Sequence, residues 1–401
     1  MDPRHNPYVP SAGSPPAELA GREMLIEAVD VVLHRVLAGR STKSHMLIGL
    51  RGVGKTVLLA EFRKLAEGIQ AQGRPLQTVR IEAPEKKSLP AMLLPDLRRV
   101  LLKLSLSERS KELAKRGLRA LASFAKLKTK YDDIVIELDL APELGLADSG
   151  DLETDLIDVI EITGMAAQKA GGGVAMFIDE LQYVEENQLA ALITALHRCS
   201  QSQLPVVLFG AGLPQLRGQM GKAKSYAERL FEFAEITELN RADARRAITK
   251  PAEEERVVFE DAALDEIVRA TQGYPYFLQE WGKHAWDTAD ASPITLADVT
   301  NATKIAIAEL DKSFFSVRFD RLTPSEKVYL RAMAELGPGP HRSGDIAELL
   351  GKTSQTVAPT RARLIEKGMA YSPGHGDTAF TVPLFDEFMK RTMPGEEWRA
   401  G

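Results

Sequence analysis

At 401 residues with 44% apolar and 27% charged side chains, the chain has the make-up of a soluble globular protein with material for two or three domains. A net charge of −5 provides no whole-chain attraction to nucleic acid, and a single cysteine, Cys199, excludes an intramolecular disulfide and a cysteine-rich zinc site. No apolar stretch approaches the ~18 residues of a bilayer span, and the start of the chain lacks the apolar core of a signal peptide, so the expectation is a cytoplasmic protein without membrane contact.

Residues 1–17 hold Pro3, Pro7, Pro10, Pro15 and Pro16 among small polar residues and read as a flexible, extended arm. An amphipathic helix follows from Gly21 toward Leu37, with Leu25, Val29 and Leu33 on one face. The apolar run Met46-Leu47-Ile48 reads as a buried strand. It leads into Gly49-Leu50-Arg51-Gly52-Val53-Gly54-Lys55-Thr56, which fits G-x-x-x-x-G-K-[ST] at every fixed position, and helical periodicity resumes at Val57. Strand, glycine loop and helix form the context that pattern requires. The glycines let backbone N–H groups turn inward, the helix adds its positive end, Lys55 reaches the outer phosphates, and the Thr56 hydroxyl takes one position on a Mg²⁺.

Gln77–Glu82 alternates as a second strand that ends at Pro84. From Leu97 to Tyr131 the pattern is helical, and residues 98–130 hold eleven Lys or Arg against Glu108 and Glu112. Residues 131–161 reverse this with eleven Asp or Glu and no cation; 133–138 reads as an inserted strand there, and 151–167 as helix. The basic stretch either lies against the acidic one, is solvated, or forms a surface for nucleic acid or an acidic partner. Val174–Ile178 is a continuous apolar strand that delivers Asp179 and Glu180 to its C-terminal tip. In an open parallel sheet that is the ligand edge, so Asp179 is the expected Mg²⁺ partner and Glu180 the base that orients the attacking water.

A helix at 187–200, a strand at 205–209 and a last strand at 234–239 complete five core strands. Residues 241–311 read as a small helical domain with one break at Gly273-Tyr274-Pro275. Beyond Phe314 come a helix at 324–335, a short helix at 343–350, and a second helix at 357–367 with Pro359 in its first turn. Strands at 369–371 and 379–382 then pair around a loop carrying His375. Helix, turn, helix and β-wing make a winged-helix module, whose exposed polar candidates for a DNA groove are Lys352, Ser354, Gln355, Thr360, Arg361 and Arg363. The module is not strongly basic: residues 316–401 hold twelve Lys or Arg and eleven Asp or Glu, so packing against the rest of the chain contends with DNA binding.

With these residues placed, the chain resembles the prokaryotic AAA+ and STAND ATPases with an origin-recognition-type ATPase module. Gly21-Arg22-Glu23 looks like the box near the adenine, GLRGVGKT like the Walker A loop, and FIDELQ at 177–182 like a Walker B strand. The resemblance implies an α/β fold, with a five-stranded parallel sheet between helices (18–240), a helical lid (241–312) and a winged helix (313–401). It implies ATP and Mg²⁺, held by Arg22, Gly49, Arg51, Gly52, Val53, Gly54, Lys55, Thr56, Val57 and Asp179. Pro275 corresponds to the G-x-P proline that packs on adenine, and Arg229, just before the last core strand, to an arginine finger offered to a neighbour in a homo-oligomer. The chain departs from ordinary AAA+ proteins in offering no lid arginine and in carrying Gly210-Ala211-Gly212 where a polar sensor is common. A slow Mg²⁺-dependent ATPase is therefore expected, acting either as a machine on duplex DNA or as an ATP/ADP signalling switch with a protein partner.

Overall fold

The computed structural model of the protein describes all residues but 12, 74, 84–87, 129–141, 375 and 401. The expected strand at 133–138, Pro84 and His375 lie outside the described residues. After α1 (Glu23–Leu37), β1 (Ser44–Ile48) runs into the glycine loop and α2 (Lys55–Ala71). Next come β2 (Leu76–Glu82), α3 (Leu89–Leu104), α4 (Lys111–Lys128), α5 (Leu152–Lys169) and β3 (Gly173–Asp179). The unit closes with α6 (Glu186–Gln201), β4 (Val206–Gly212), α7 (Gln215–Ala223), α8 (Ala227–Leu230) and β5 (Phe231–Glu235).

The strands form one parallel sheet in the order β2-β3-β4-β1-β5. Helices cover both faces, which is why β1 and β3 are buried at every position and β3 is apolar up to Asp179. Alternate side chains go to opposite sides. Leu47, Phe177 and Phe209 pack with Leu33, Leu58 and Phe62 from α1 and α2, while Met46, Met176 and Leu208 pack with α3, α5 and α6. Because β4 lies between β1 and β3, the tips of the two flanking strands face each other across a crevice, and that places the glycine loop opposite Asp179 and Glu180.

The single helical stretch expected over 97–131 is two helices, broken at 105–110, where the Ser110 hydroxyl caps the Leu104 carbonyl at 2.7 Å. The basic helix does meet the acidic stretch, since Arg116 and Arg119 both donate to Glu143, at 2.8 and 3.0 Å. The last strand is Phe231–Glu235 rather than 234–239: Phe231 is buried and pairs with Ser44, so the chain leaves α8 after a single turn.

The helical unit consists of α9 (Arg241–Glu254), α10 (Asp261–Thr271), α11 (Pro275–Thr288) and α12 (Leu296–Leu310). A π-helical turn (Asp311–Phe315) continues α12 into α13 (Ser316–Asp320). The C-terminal module follows as α14 (Pro324–Leu336), β6 (His341–Arg342), α15 (Ser343–Leu349), α16 (Ser354–Glu366), β7 (Ala370–Tyr371), β8 (Asp377–Phe380) and α17 (Phe385–Thr392). Its sheet has the order β6-β8-β7. Strand β6 carries no alternation to announce it, being two residues long. Helix α16 begins three residues before the expected start because Thr353 caps it, accepting from the Thr356 N–H, and this puts Pro359 inside the helix rather than in its first turn.

One apolar core runs from Ile248 through Trp281 and Phe315 to Phe385. The helical unit and the C-terminal module are thus joined by packing across the boundary expected at 312/313.

The proline-rich arm opens with a 3-10 turn (Pro3–His5) and is docked rather than free. Tyr8 is buried against Gly282, its hydroxyl donates to the Ile248 carbonyl at 2.5 Å, and Asn6 donates to the Lys283 carbonyl at 3.0 Å. Burying one aromatic side chain stabilises by about 2 kcal/mol, which composition averaged over the arm conceals.

Candidate nucleotide site

The loop between β1 and α2 bends through left-handed backbone at Gly52 (φ 83°) and Gly54 (φ 94°). Gly49 is fixed by close approach instead, since a Cβ there would lie 2.1 Å from the Ile236 carbonyl oxygen. Its N–H donates to the Gly212 carbonyl at 3.2 Å, so it shapes the base of the loop and does not line the cavity. The N–H groups of Gly52, Val53 and Gly54 find no acceptor among the described residues. They are free donors at a helix N-terminus, the arrangement an anion fills.

Lys55 is buried, and its Nζ donates to the carbonyls of Gly49 at 2.9 Å and Leu50 at 2.8 Å. Burial lowers its pKa to about 8, against the pull of the Glu180 and Asp179 carboxylates and with added repulsion from Arg51. Bound phosphate favours the charged amine, so the sign of the pH effect follows. Affinity is fully present below about 8 and falls as pH rises through that value, by up to tenfold per unit beyond it. Titration calorimetry of ADP at pH 7 and 9, in buffers of different ionisation enthalpy, is expected to show weaker binding and proton uptake at the higher pH; a flat affinity refutes the assignment.

Across the crevice, the Thr56 hydroxyl donates to Asp179 Oδ2 at 2.6 Å, and Asp179 Oδ1 accepts the Glu180 N–H at 2.8 Å. A hydroxyl and a carboxylate in contact at the phosphate end of the loop fit a Mg²⁺ ion, which prefers oxygen ligands and keeps several waters. Glu180 adopts left-handed backbone (φ 55°), a strained conformation that turns its side chain toward the cavity and away from the strand direction. Its carboxylate accepts from Gln182 Nε2, and Gln182 Oε1 accepts the Leu213 N–H at 3.0 Å. The polar group at the tip of β4 is therefore Gln182, brought there from the β3 side, where Gly210-Ala211-Gly212 has none of its own.

The loop, Lys55, Thr56 and Glu180 face a cavity of about 230 Å³, whereas Asp179, buried behind Thr56, is not part of its wall. Arg22, Arg51, Gly52, Val53, Gly54, Lys55, Thr56, Val57, Glu180 and Pro275 all line it, so most of the expected set converges. Arg22, half-buried, also donates to the Thr237 carbonyl at 2.5 Å. Sequence reasoning missed the other walls: Val9, Pro10, Ser11, Gly13, Ser14 and Pro16 of the arm, Tyr276 and Gln279 of α11, and Phe314 with Arg318 near α13. Tyr8 and Val9, apolar residues among the arm's prolines, were the only local signal for the first.

Arg229 lies elsewhere. It is exposed on α8, outside the cavity, and makes no ion pair with any described residue. In the C-terminal module Lys352, Ser354 and Gln355 are exposed, as is Arg363, whose Nε lies 3.5 Å from Glu326. Thr360 is half-buried and accepts from Arg363 at 3.2 Å. Arg361 is not available to a groove. It holds the β7–β8 hairpin through Thr378 Oγ1 at 2.7 Å, Ser372 Oγ at 2.8 Å and the Asp377 carbonyl at 2.7 Å, because its long side chain reaches back across the hairpin base.

The AAA ATPase domain family matches residues 18–209, and a family described as a domain of unknown function matches residues 312–389. No curated protein matches the chain. Among solved structures, the ORC2 protein of Aeropyrum pernix in its ADP form is similar with a TM-score of 0.54 at 15% identity, over 98% of this chain and 99% of that one. A Walker-type ATPase of Pyrococcus abyssi gives 0.52 at 16% identity over 91% and 95%, and the Aeropyrum pernix ORC1 protein in complex with DNA gives 0.50 at 16% over 94% and 94%. The fold is that of the P-loop AAA+ ATPases, and it implies a nucleotide site.

Proposed function

We propose that the protein binds ATP with Mg²⁺, hydrolyses it slowly, and couples nucleotide state to the docking of its C-terminal module. The observation that carries this reading is one contact. The Arg51 N–H, in the middle of the phosphate loop, donates to the Thr381 carbonyl of that module at 3.1 Å, so a change in the loop is felt directly by residues 313–401. Thr56 and Asp179 are the residues that would hold Mg²⁺, which when bound neutralises phosphate charge. The unpaired N–H groups bind phosphate, and Lys55 leaves the Gly49 and Leu50 carbonyls for it. Glu180 orients water once it parts from Gln182, and the need to break that contact favours slow turnover. Turnover below about 1 s⁻¹, against a common enzyme value of ~10 s⁻¹, is the expected result of a steady-state phosphate-release assay. Phosphate release that is absent with Mg²⁺ and ATP refutes the hydrolytic part.

Docking of this kind suits the signalling switch with a protein partner. The DNA reading rests on a different observation: the order helix, strand, helix, helix, hairpin in residues 324–380, with an exposed face on α16. That order supports a winged helix. Titration of the full chain with duplex DNA at low salt separates the two. Binding that weakens on Lys352→Ala and Arg363→Ala, with the salt slope reduced by ~0.9 for each phosphate no longer neutralised, supports DNA. The absence of binding at low salt removes that role and leaves a protein partner.

A further inference from the structure

The proline-rich arm runs against the direction of α11 and then reaches the phosphate loop. The Trp286 indole donates to the Asp2 carbonyl at 3.0 Å, and Asn6 Nδ2 donates to the Lys283 carbonyl at 3.0 Å and to Asp287 at 2.8 Å. Tyr8 lies against Gly282, and the Val9 N–H donates to Gln279 Oε1 at 3.2 Å. Pro7 and Pro10 bracket these two residues and have no N–H of their own, while the Tyr8 N–H is taken by Asn6 Oδ1 at 3.0 Å. The hold is concentrated at Tyr8. Val9 beside it is 52% exposed, whereas the Tyr8 ring fills a slot in which a Cβ on Gly282 would lie 2.7 Å from ring atom Cδ1.

Four residues beyond Val9 the arm has left α11: a Cβ at Gly13 would lie 3.5 Å from Thr56 Cγ2, at the start of α2. Glu18 then ties the chain to α9, through Lys250 Nζ at 2.5 Å and Arg246 Nε at 3.3 Å. Between Gln279 and Thr56 the arm residues Val9, Pro10, Ser11 and Gly13 are wall of the same cavity that Lys55 and Glu180 face. The arm thus crosses from the helical unit to the phosphate loop, with an anchor on each side.

We propose that the arm is a strap that gates nucleotide exchange, lifting from α11 before a nucleotide enters or leaves, with Tyr8 as the positioning residue that keeps it down. This rests on the nucleotide-binding reading above. A segment held by one ring and a few hydrogen bonds opens locally far more often than the chain unfolds, and the fraction of time it spends open scales both rates. A gate therefore changes entry and departure alike. A wall that merely touches bound nucleotide changes departure alone.

The test measures association and dissociation of ADP carrying a fluorophore on its ribose, by stopped flow on the full chain with Mg²⁺, with unlabelled ADP as competitor. Tyr8→Ala empties the slot, and Gly282→Ala fills it from the other side with a better helix former, so α11 itself is not weakened. Each variant is expected to raise both rate constants about tenfold or more, with equilibrium affinity kept within about threefold. Gly282→Ala decides the matter if Tyr8→Ala does not fold. Faster dissociation with unchanged association makes the arm a contact of bound nucleotide and overturns the gate, as do unchanged rates in the folded variants. Wild-type protein that binds no ADP overturns the nucleotide reading and this one with it, whereas wild-type binding with unaffected variants overturns this one alone.

Discussion

Lys55→Ala is expected to abolish nucleotide binding, with affinity reduced by about a hundredfold or more, whereas Glu180→Gln retains ATP and loses turnover by ~10²–10⁴-fold. The two side chains act at different points of the reaction coordinate. Lys55 neutralises charge already present in the ground state, from a buried position where its hydrogen-bond partners among the described residues are two carbonyls. Its removal leaves a desolvated phosphate site with one cation fewer, so binding fails first. Glu180 acts on water only on the way to the transition state, and glutamine preserves its shape and its contact with Gln182 while removing the base. Equilibrium binding and single-turnover hydrolysis, measured on both variants, separate the roles. Glu180→Gln that turns over at the wild-type rate would show that another group orients the water, and Lys55→Ala that binds ADP normally would place the phosphates elsewhere.

The parts of this site that were legible in the sequence are those in which local chemistry and local geometry coincide. An eight-residue loop fixes its own backbone through glycine, and the strand before it and the helix after it are set by their own periodicities. Asp179 and Glu180 were legible because a fully apolar strand has one polar end. The strained backbone at Glu180 was not, since it arises from the demand that the carboxylate turn into the crevice, a tertiary requirement. The same holds for Gln182, whose role depends on Leu213 arriving from the neighbouring strand. The arm was misread because composition averages over the residues that matter: one tyrosine in a proline-rich segment finds a slot that only Gly282 leaves open. Arg318 had no signal at all. It lies 263 positions after Lys55 in the numbering, on a short helix with no motif that α12 runs into through the π-helical turn. Arg361 shows the converse, an arginine of suitable type in a suitable place whose reach is spent on its own hairpin.

ATP turnover is expected to require assembly, with Arg229 of one subunit completing the site of the next. Arg229 makes no ion pair with the described residues of its own chain: it stands exposed on the single turn of α8, and it is outside the cavity. The acidic neighbours that would give it a surface role do not engage it, since Glu232 lies 3.8 Å from Lys43 and neither it nor Glu228 pairs with Arg229. Helix α8 leads straight into β5, the edge strand beside β1, so Arg229 is carried at the border of the sheet where an adjoining copy can approach. A guanidinium supplied in trans stabilises the charge that spreads over the transferred phosphoryl group, and such fingers raise turnover by ~10³-fold or more; lysine, lacking the planar fork, substitutes poorly. The decisive measurement mixes two inactive proteins, Arg229→Ala and Lys55→Ala. Mixed assemblies contain interfaces with an intact loop on one side and an intact finger on the other, so activity is expected to return in part. Full activity of Arg229→Ala alone, or wild-type activity strictly proportional to concentration down to a proven monomer, would sink the idea.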